Sequence, residues 1–143
     1  MPIQITINEA EHYPHTAKEI WTLCGAPGEI DKWLPAVEKS WLDGDVRHAE
    51  LAGGAGTARE RITEHVDARH YYEYDYIDGP LVLKNFSSRF SVVPAADGGS
   101  DILWTAQFQA DSEAEGHELE QAVSGMYRGG LQRIGEVLTS DRV

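Results

Sequence analysis

Ser112 to Thr139 reads SEAEGHELEQAVSGMYRGGLQRIGEVLT. Its opening, Ser112-Glu113-Ala114-Glu115, has the S-x-x-E form of a capping box, and Leu119, Ala122, Val123, Met126, Ile134 and Val137 then recur at helical spacing. About 27 residues of helix at ~1.5 Å each reach about 40 Å, long enough to cross a whole sheet. The text before it supplies that sheet. From Ala36 to Ala110 strand-like runs are punctuated by turns at Asp43-Gly44-Asp45, Gly53-Gly54, Val66-Asp67-Ala68, Asp78-Gly79-Pro80 and Ala96-Asp97-Gly98-Gly99. Roughly six strands joined so tightly form an antiparallel meander. Further upstream Ile3, Ile5 and Ile7 alternate with Gln4, Thr6 and Asn8 as a first strand. Thr16 to Glu19 is another capping box, opening a helix with Ala17, Ile20, Trp21 and Cys24 on one face; Ala26-Pro27-Gly28 breaks it, and Glu29 to Trp33 gives a further turn or two before Pro35. The fold class is therefore α+β: a curved seven-stranded antiparallel sheet around a long C-terminal helix, with two short helices after strand one. There is no repeat or linker, so residues 1–143 read as a single domain.

Composition narrows the function. Twelve Lys and Arg against 24 Asp and Glu leave a formal net charge of −12. So negative a surface repels phosphate backbones and anionic headgroups, which argues against nucleic-acid and membrane partners. One cysteine, Cys24, cannot close an intrachain disulfide, and no stretch has the signature of a signal peptide or membrane span; a cytoplasmic location is expected.

Strand parity predicts which side chains face the interior. In 58–66 the even residues Ala58, Glu60, Ile62, Glu64 and Val66 face in, away from Arg59, Arg61, Thr63 and His65. In 71–77 the inward set is Tyr72, Tyr74 and Tyr76; in 84–92 it is Phe86, Ser88, Phe90 and Val92; and at the last strand it is Trp104, Ala106, Phe108 and Ala110. The stretch Ala36 to Asp43 has no clean parity, which leaves the face of Trp41 open. An aromatic wall with hydroxyls and two carboxylates is unlike a plain core, where unpaired carboxylates are rare. Glu64 lies near a turn and can escape to solvent, whereas Glu60 is mid-strand, suited either to a structural hydrogen bond or to donating and accepting a proton. Tyr74 and Tyr76 could pair with it, and Tyr74 is the second candidate catalytic residue beside Glu60.

Gly125, Gly129, Gly130 and Gly135 each cost the long helix about 1 kcal/mol relative to alanine. Close approach of helix to sheet, or room for a ligand beside Ala122 and Met126, would offset that cost. The pairs His12/His15 and His65/His70 lack a third ligand at metal spacing, so no metal is expected, and no phosphate loop or other cofactor motif occurs.

The order of elements resembles the helix-grip fold of the START-like superfamily (SRPBCC), over essentially the full length. The text most resembles the bacterial polyketide cyclase/dehydrase-like group, through Gly54-Ala55-Gly56-Thr57, Glu60-Arg61-Ile62, Gly79-Pro80-Leu81, Asn85-Phe86 and Tyr127-Arg128-Gly129-Gly130-Leu131. More distantly it is similar to plant abscisic-acid receptors. That resemblance sets Glu60, Tyr74, Phe86 and Ser88 against ligand-cavity positions, and makes Gly53, Gly54, Ala55 and Gly56 a gate loop with Gly79, Pro80 and Leu81 as its latch. It also sets Lys32 and Trp33 at an entrance where some relatives place a basic residue. The fold does not dictate an activity. Three functions stay open: a carrier or sensor of a small apolar or amphipathic ligand; a cyclase/dehydratase-type enzyme using Glu60 as acid or base; and an interaction module with a filled interior, for instance a homodimer.

Overall fold

The structure, a computed structural model, describes residues 2–140. Strand β1 (Ile3–Tyr13) is followed by helix α1 (Ala17–Cys24) and a 3-10 segment (Pro27–Lys32). Six strands come next, β2 (Val37–Asp43), β3 (Val46–Leu51), β4 (Gly56–Val66), β5 (Tyr71–Asp78), β6 (Lys84–Pro94) and β7 (Ser100–Ala110), before helix α2 (Glu113–Ser140). All seven strands form one antiparallel sheet in the order β1-β7-β6-β5-β4-β3-β2, so β1 closes onto β7 and the five remaining pairings are between sequence neighbours. The helix-grip architecture is the one the sequence predicts. None of the described helices is long and apolar enough to cross a membrane.

Local chemistry sets the helix starts. The Thr16 hydroxyl accepts the Glu19 backbone N–H at 3.1 Å while the Glu19 carboxylate reaches back to the Thr16 N–H, and the Ser112 hydroxyl accepts the Glu115 N–H at 3.2 Å. The second short helix is 3-10 rather than α, since six residues opening on Pro27-Gly28 with a kink at Glu29 leave little room for i→i−4 bonds.

On α2 the buried face is Leu119, Val123, Tyr127, Leu131, Ile134 and Leu138, with Gly116 and Gly130. Met126 and Val137 flank it half-buried and Ala122 is exposed, so the stripe is rotated from the one its aliphatic residues alone suggest. Close approach explains some of the glycines. A Cβ on Gly130 would meet Leu34 Cδ1 at 2.8 Å and ring carbons of Trp33 and Trp104 at 3.2 Å, and one on Gly116 would meet Ile5 Cδ1 at 2.9 Å. Gly125 and Gly129 have nothing within 4 Å, and nothing in the structure explains them.

Parity holds on β5, β6 and β7, where Tyr72, Tyr74, Phe86, Ser88, Phe90, Val92, Trp104, Ala106, Phe108 and Ala110 are all buried. It fails in the second half of β4. The β4–β5 register shifts between Ile62 and Glu64, so that Glu64 pairs with Glu73 and His65 with Tyr72. A residue added on one strand reverses every face beyond it. Glu64 and Val66 are thus turned outward, with Glu64 accepting from Tyr71 at 2.6 Å, and His65 turns inward against Trp21 and Tyr72. Trp41, on the edge strand β2, is exposed and stacks on His48.

Candidate ligand-binding site

Between the sheet and α2 lies a cavity of about 260 Å³. Its sheet wall is Val37, Ala49, Leu51, Ala58, Tyr74, Tyr76, Phe86 and Trp104. Ile30 and Leu34 close one side, Ala122, Val123, Met126 and Tyr127 form the helix side, and Ala55, Pro80, Leu81 and Leu83 come from two loops at the mouth. Those loops meet: a Cβ on Gly56, whose φ is +124°, would lie 3.1 Å from Pro80 Cγ. Of the residues singled out in the sequence, the cavity brings together Ala58, Glu60, Tyr74, Tyr76, Phe86, Trp104, Ala122 and Met126, with Ala55, Pro80 and Leu81 of the loops.

The others lie elsewhere. Tyr72, Phe90 and Phe108 are enclosed in the adjoining core. Ser88 and Ala106 sit beside Tyr74 on the inner face, and Ile62 is opposite Tyr74 in the register. Trp33 is inserted between Phe90 and Trp104, at ring-centroid distances of 5.4 and 5.6 Å. Lys32 is exposed and paired with Glu29 on its own turn. Gly53, Gly54 and Gly79 belong to the mouth loops without lining the space.

One polar feature interrupts the apolar wall. Register places Arg47 of β3 directly opposite Glu60 of β4, and Glu60 opposite Tyr76 of β5. Arg47 is 2% exposed; its Nε donates to Glu60 Oε1 at 2.9 Å and its Nη2 lies 2.8 Å from the same oxygen. Its Nη1 donates to the Pro27 carbonyl and the Tyr72 hydroxyl, and its guanidinium carbon stands 4.5 Å from the Tyr74 ring centroid. Burial alone would push the guanidinium down, but the Glu60 carboxylate, and then the Tyr72 and Tyr74 phenols, outweigh it and hold Arg47 above its ordinary range. Arg47 was missed because residues 46–51 are assigned no face in the sequence reading. The signal was present: Arg47 shares its parity with Ala49 and Leu51, opposite His48 and Glu50.

The hydroxyls beside this pair form a chain whose direction follows from the donors. Trp104 Nε1–H donates to Tyr74 Oη at 3.2 Å, and Ser88 Oγ–H to the Thr105 carbonyl at 2.8 Å. Ser88 must then accept from Tyr127, 2.8 Å away, and Tyr127 from Tyr74, 3.1 Å away. Tyr76 donates to the Leu81 carbonyl at 2.8 Å, which ties β5 to the mouth loop. Burial raises the Tyr74 and Tyr127 pKa values and pushes Tyr76 up to about 12, so all three are neutral phenols near neutral pH. Among the described residues no group of three His, Cys, Asp or Glu could hold a metal ion.

No curated protein sequence shows significant similarity to the chain. Among solved structures, an uncharacterized protein from Bacillus thuringiensis is similar at 25% identity, covering 94% of this chain and 99% of its own with a TM-score of 0.85. Protein XoxI from Bacillus cereus is 21% identical over 96% and 98%, with a TM-score of 0.87. Norcoclaurine synthase from Thalictrum flavum, as a point mutant with a transition-state analogue, shares the fold at 16% identity over 100% and 99%, with a TM-score of 0.76. The family model described as polyketide cyclase / dehydrase and lipid transport matches residues 4–139, and the chain belongs to that family.

Proposed function

We propose that the protein binds a small, largely apolar ligand between its sheet and α2, as a carrier or sensor in the cytoplasm. The observation that carries this is the cavity of about 260 Å³ with an apolar wall, interrupted by a single charge pair. Its volume also counts against an interaction module with a filled interior. The cytoplasmic part rests on Cys24, a free and buried thiol. The loop at residues 53–56 serves as gate and the 79–81 turn as latch, supported by their meeting at Gly56 and Pro80.

Native mass spectrometry of freshly purified protein tests the reading directly: a co-purifying small molecule is expected, and Ala49→Phe, which fills the cavity from a buried wall position, should release it. Retention in Ala49→Phe, or failure of the wild type to hold either a native compound or an added apolar fluorophore, would sink the proposal. One observation favours a second reading. A carboxylate engaged by arginine on one oxygen keeps the other for proton abstraction, as a cyclase or dehydratase would require. Glu60→Gln would then preserve ligand affinity within several-fold and cut turnover by about two to four orders of magnitude.

A further inference from the structure

Most of the cavity's polar hydrogens are committed, and one carboxylate oxygen stands open. Tyr74, Tyr127 and Tyr76 have each given their only hydroxyl hydrogen to Tyr127, Ser88 and the Leu81 carbonyl. The Trp104 N–H is given to Tyr74. Arg47 directs Nε to Glu60 and Nη1 to Pro27 and Tyr72, and holds Nη2 against Glu60 Oε1, which accounts for four of its five N–H hydrogens. Both contacts on the Glu60 carboxylate fall on Oε1, and among the described residues nothing bonds to Oε2. The fully enclosed side-chain polar atoms that lack a partner, among the described residues, are Trp33 Nε1 and Ser100 Oγ. Oε2 is therefore not sealed in the core, and Glu60 lines the cavity.

We infer that the ligand carries a neutral hydrogen-bond donor, a hydroxyl or phenol on an otherwise apolar skeleton, which it gives to Glu60 Oε2. This rests on the ligand-binding reading above and narrows its chemistry. A carbonyl or ether would find the tyrosine and tryptophan donors occupied, with only the second Nη2 hydrogen of Arg47 left to accept from, on a side chain 2% exposed against 14% for Glu60. A carboxylate ligand would face the charge of Glu60, and an ammonium the charge of Arg47, in a site where the two already balance. A hydroxyl meets neither penalty, whereas a ligand without one that displaces water from Oε2 leaves that carboxylate oxygen unsatisfied.

The test compares 2-naphthol, 2-methoxynaphthalene and 2-naphthoate, which share one ring system, by titration calorimetry against wild type and Glu60→Gln. Wild type should bind 2-naphthol at least about tenfold more tightly than the ether or the carboxylate, the scale of one hydrogen bond to a charged acceptor. Glu60→Gln should reduce that preference several-fold without losing the ether. If naphthol and ether bind wild type within twofold of each other, or if the preference is intact in Glu60→Gln, the donor inference fails while the ligand-binding reading stands. Should none of the three bind, both fall together. If Glu60→Gln does not fold, the ¹³C carboxyl resonance of Glu60 in wild type decides: it should move with 2-naphthol and stay put with the ether, and equal movement overturns the inference.

Discussion

Replacing Arg47 with methionine removes a cation that is 2% exposed and faces a Glu60 side chain that is 14% exposed. Methionine fills much of the same volume, so the loss is electrostatic more than steric. It withdraws the donor to Glu60 Oε1 and leaves the Pro27 carbonyl and the Tyr72 hydroxyl without the Nη1 bonds. Breaking one partner out of a buried pair costs about 3–5 kcal/mol, because the survivor is left charged in poor solvent. The opening of Glu60 to the cavity lets water reach it and sets the expectation near the lower figure, about 3 kcal/mol. In a chain of this size that corresponds to roughly 10 °C in Tm. Removing both charges, as Arg47→Met with Glu60→Leu, should recover most of the loss, since an apolar replacement of a buried pair is often neutral. Urea unfolding followed by tryptophan fluorescence gives the three free energies. The reasoning is refuted if Arg47→Met costs less than about 1 kcal/mol, or if the double variant loses the sum of the two single losses, because additivity would mean the two side chains do not act as a pair.

Tyr127→Phe cuts the hydroxyl chain in the middle and orphans the Tyr74 donor, so a loss of about 1–3 kcal/mol is expected in the same unfolding assay; a neutral result would show that the chain is not formed. Gly130→Ala should destabilise by about 1–3 kcal/mol through its clash with Leu34, Trp33 and Trp104, whereas Gly129→Ala, with open space around it, should stabilise by up to about 1 kcal/mol; equal effects from the two would contradict the close approach of α2 to the sheet. Amide exchange at residues 53–56 should be fast in the free protein and slow once an apolar probe is bound, and exchange that is slow in both states would make the segment a rigid turn rather than a gate. His12 sits between Asp101, 2.7 Å from Nδ1, and Asp97, 2.9 Å from Nε2. The Asp101 hydrogen bond, against a desolvation penalty and with help from Asp97, raises its pKa from 6.5. A raised folded-state value means that the clamp's contribution is whole below pH 6.5 and lost as pH climbs through the folded pKa. An imidazole titration by NMR should place the midpoint above 6.5 and move it down in Asp101→Asn, and a wild-type midpoint at or below 6.5 would contradict the clamp.

Local signals in the sequence determined the elements and most of the inner face. The capping box at Thr16, the N-cap at Ser112, turn residues between the strands, and alternation in 58–62, 71–77, 84–92 and 104–110 each act within a few residues, and the chain obeys them. Those same patterns put Glu60, Tyr74, Tyr76, Phe86 and Trp104 on one wall. Tertiary structure decided what no local pattern encodes. The shift between Ile62 and Glu64 reverses the end of β4, because a strand's face depends on its partner's register as well as on its own alternation. The role of Arg47 likewise needed the fold, since parity with Ala49 and Leu51 turns it inward but only the facing strand supplies Glu60. Tyr127 on α2 joins Tyr74 and Ser88 only because the helix is laid across the sheet, and the distances that commit every hydroxyl hydrogen along that chain arise from this crossing. Apolar periodicity is a property of one segment and can be read from it, whereas charge pairing and hydrogen-bond direction are properties of two segments brought together, and exist only once the chain has folded.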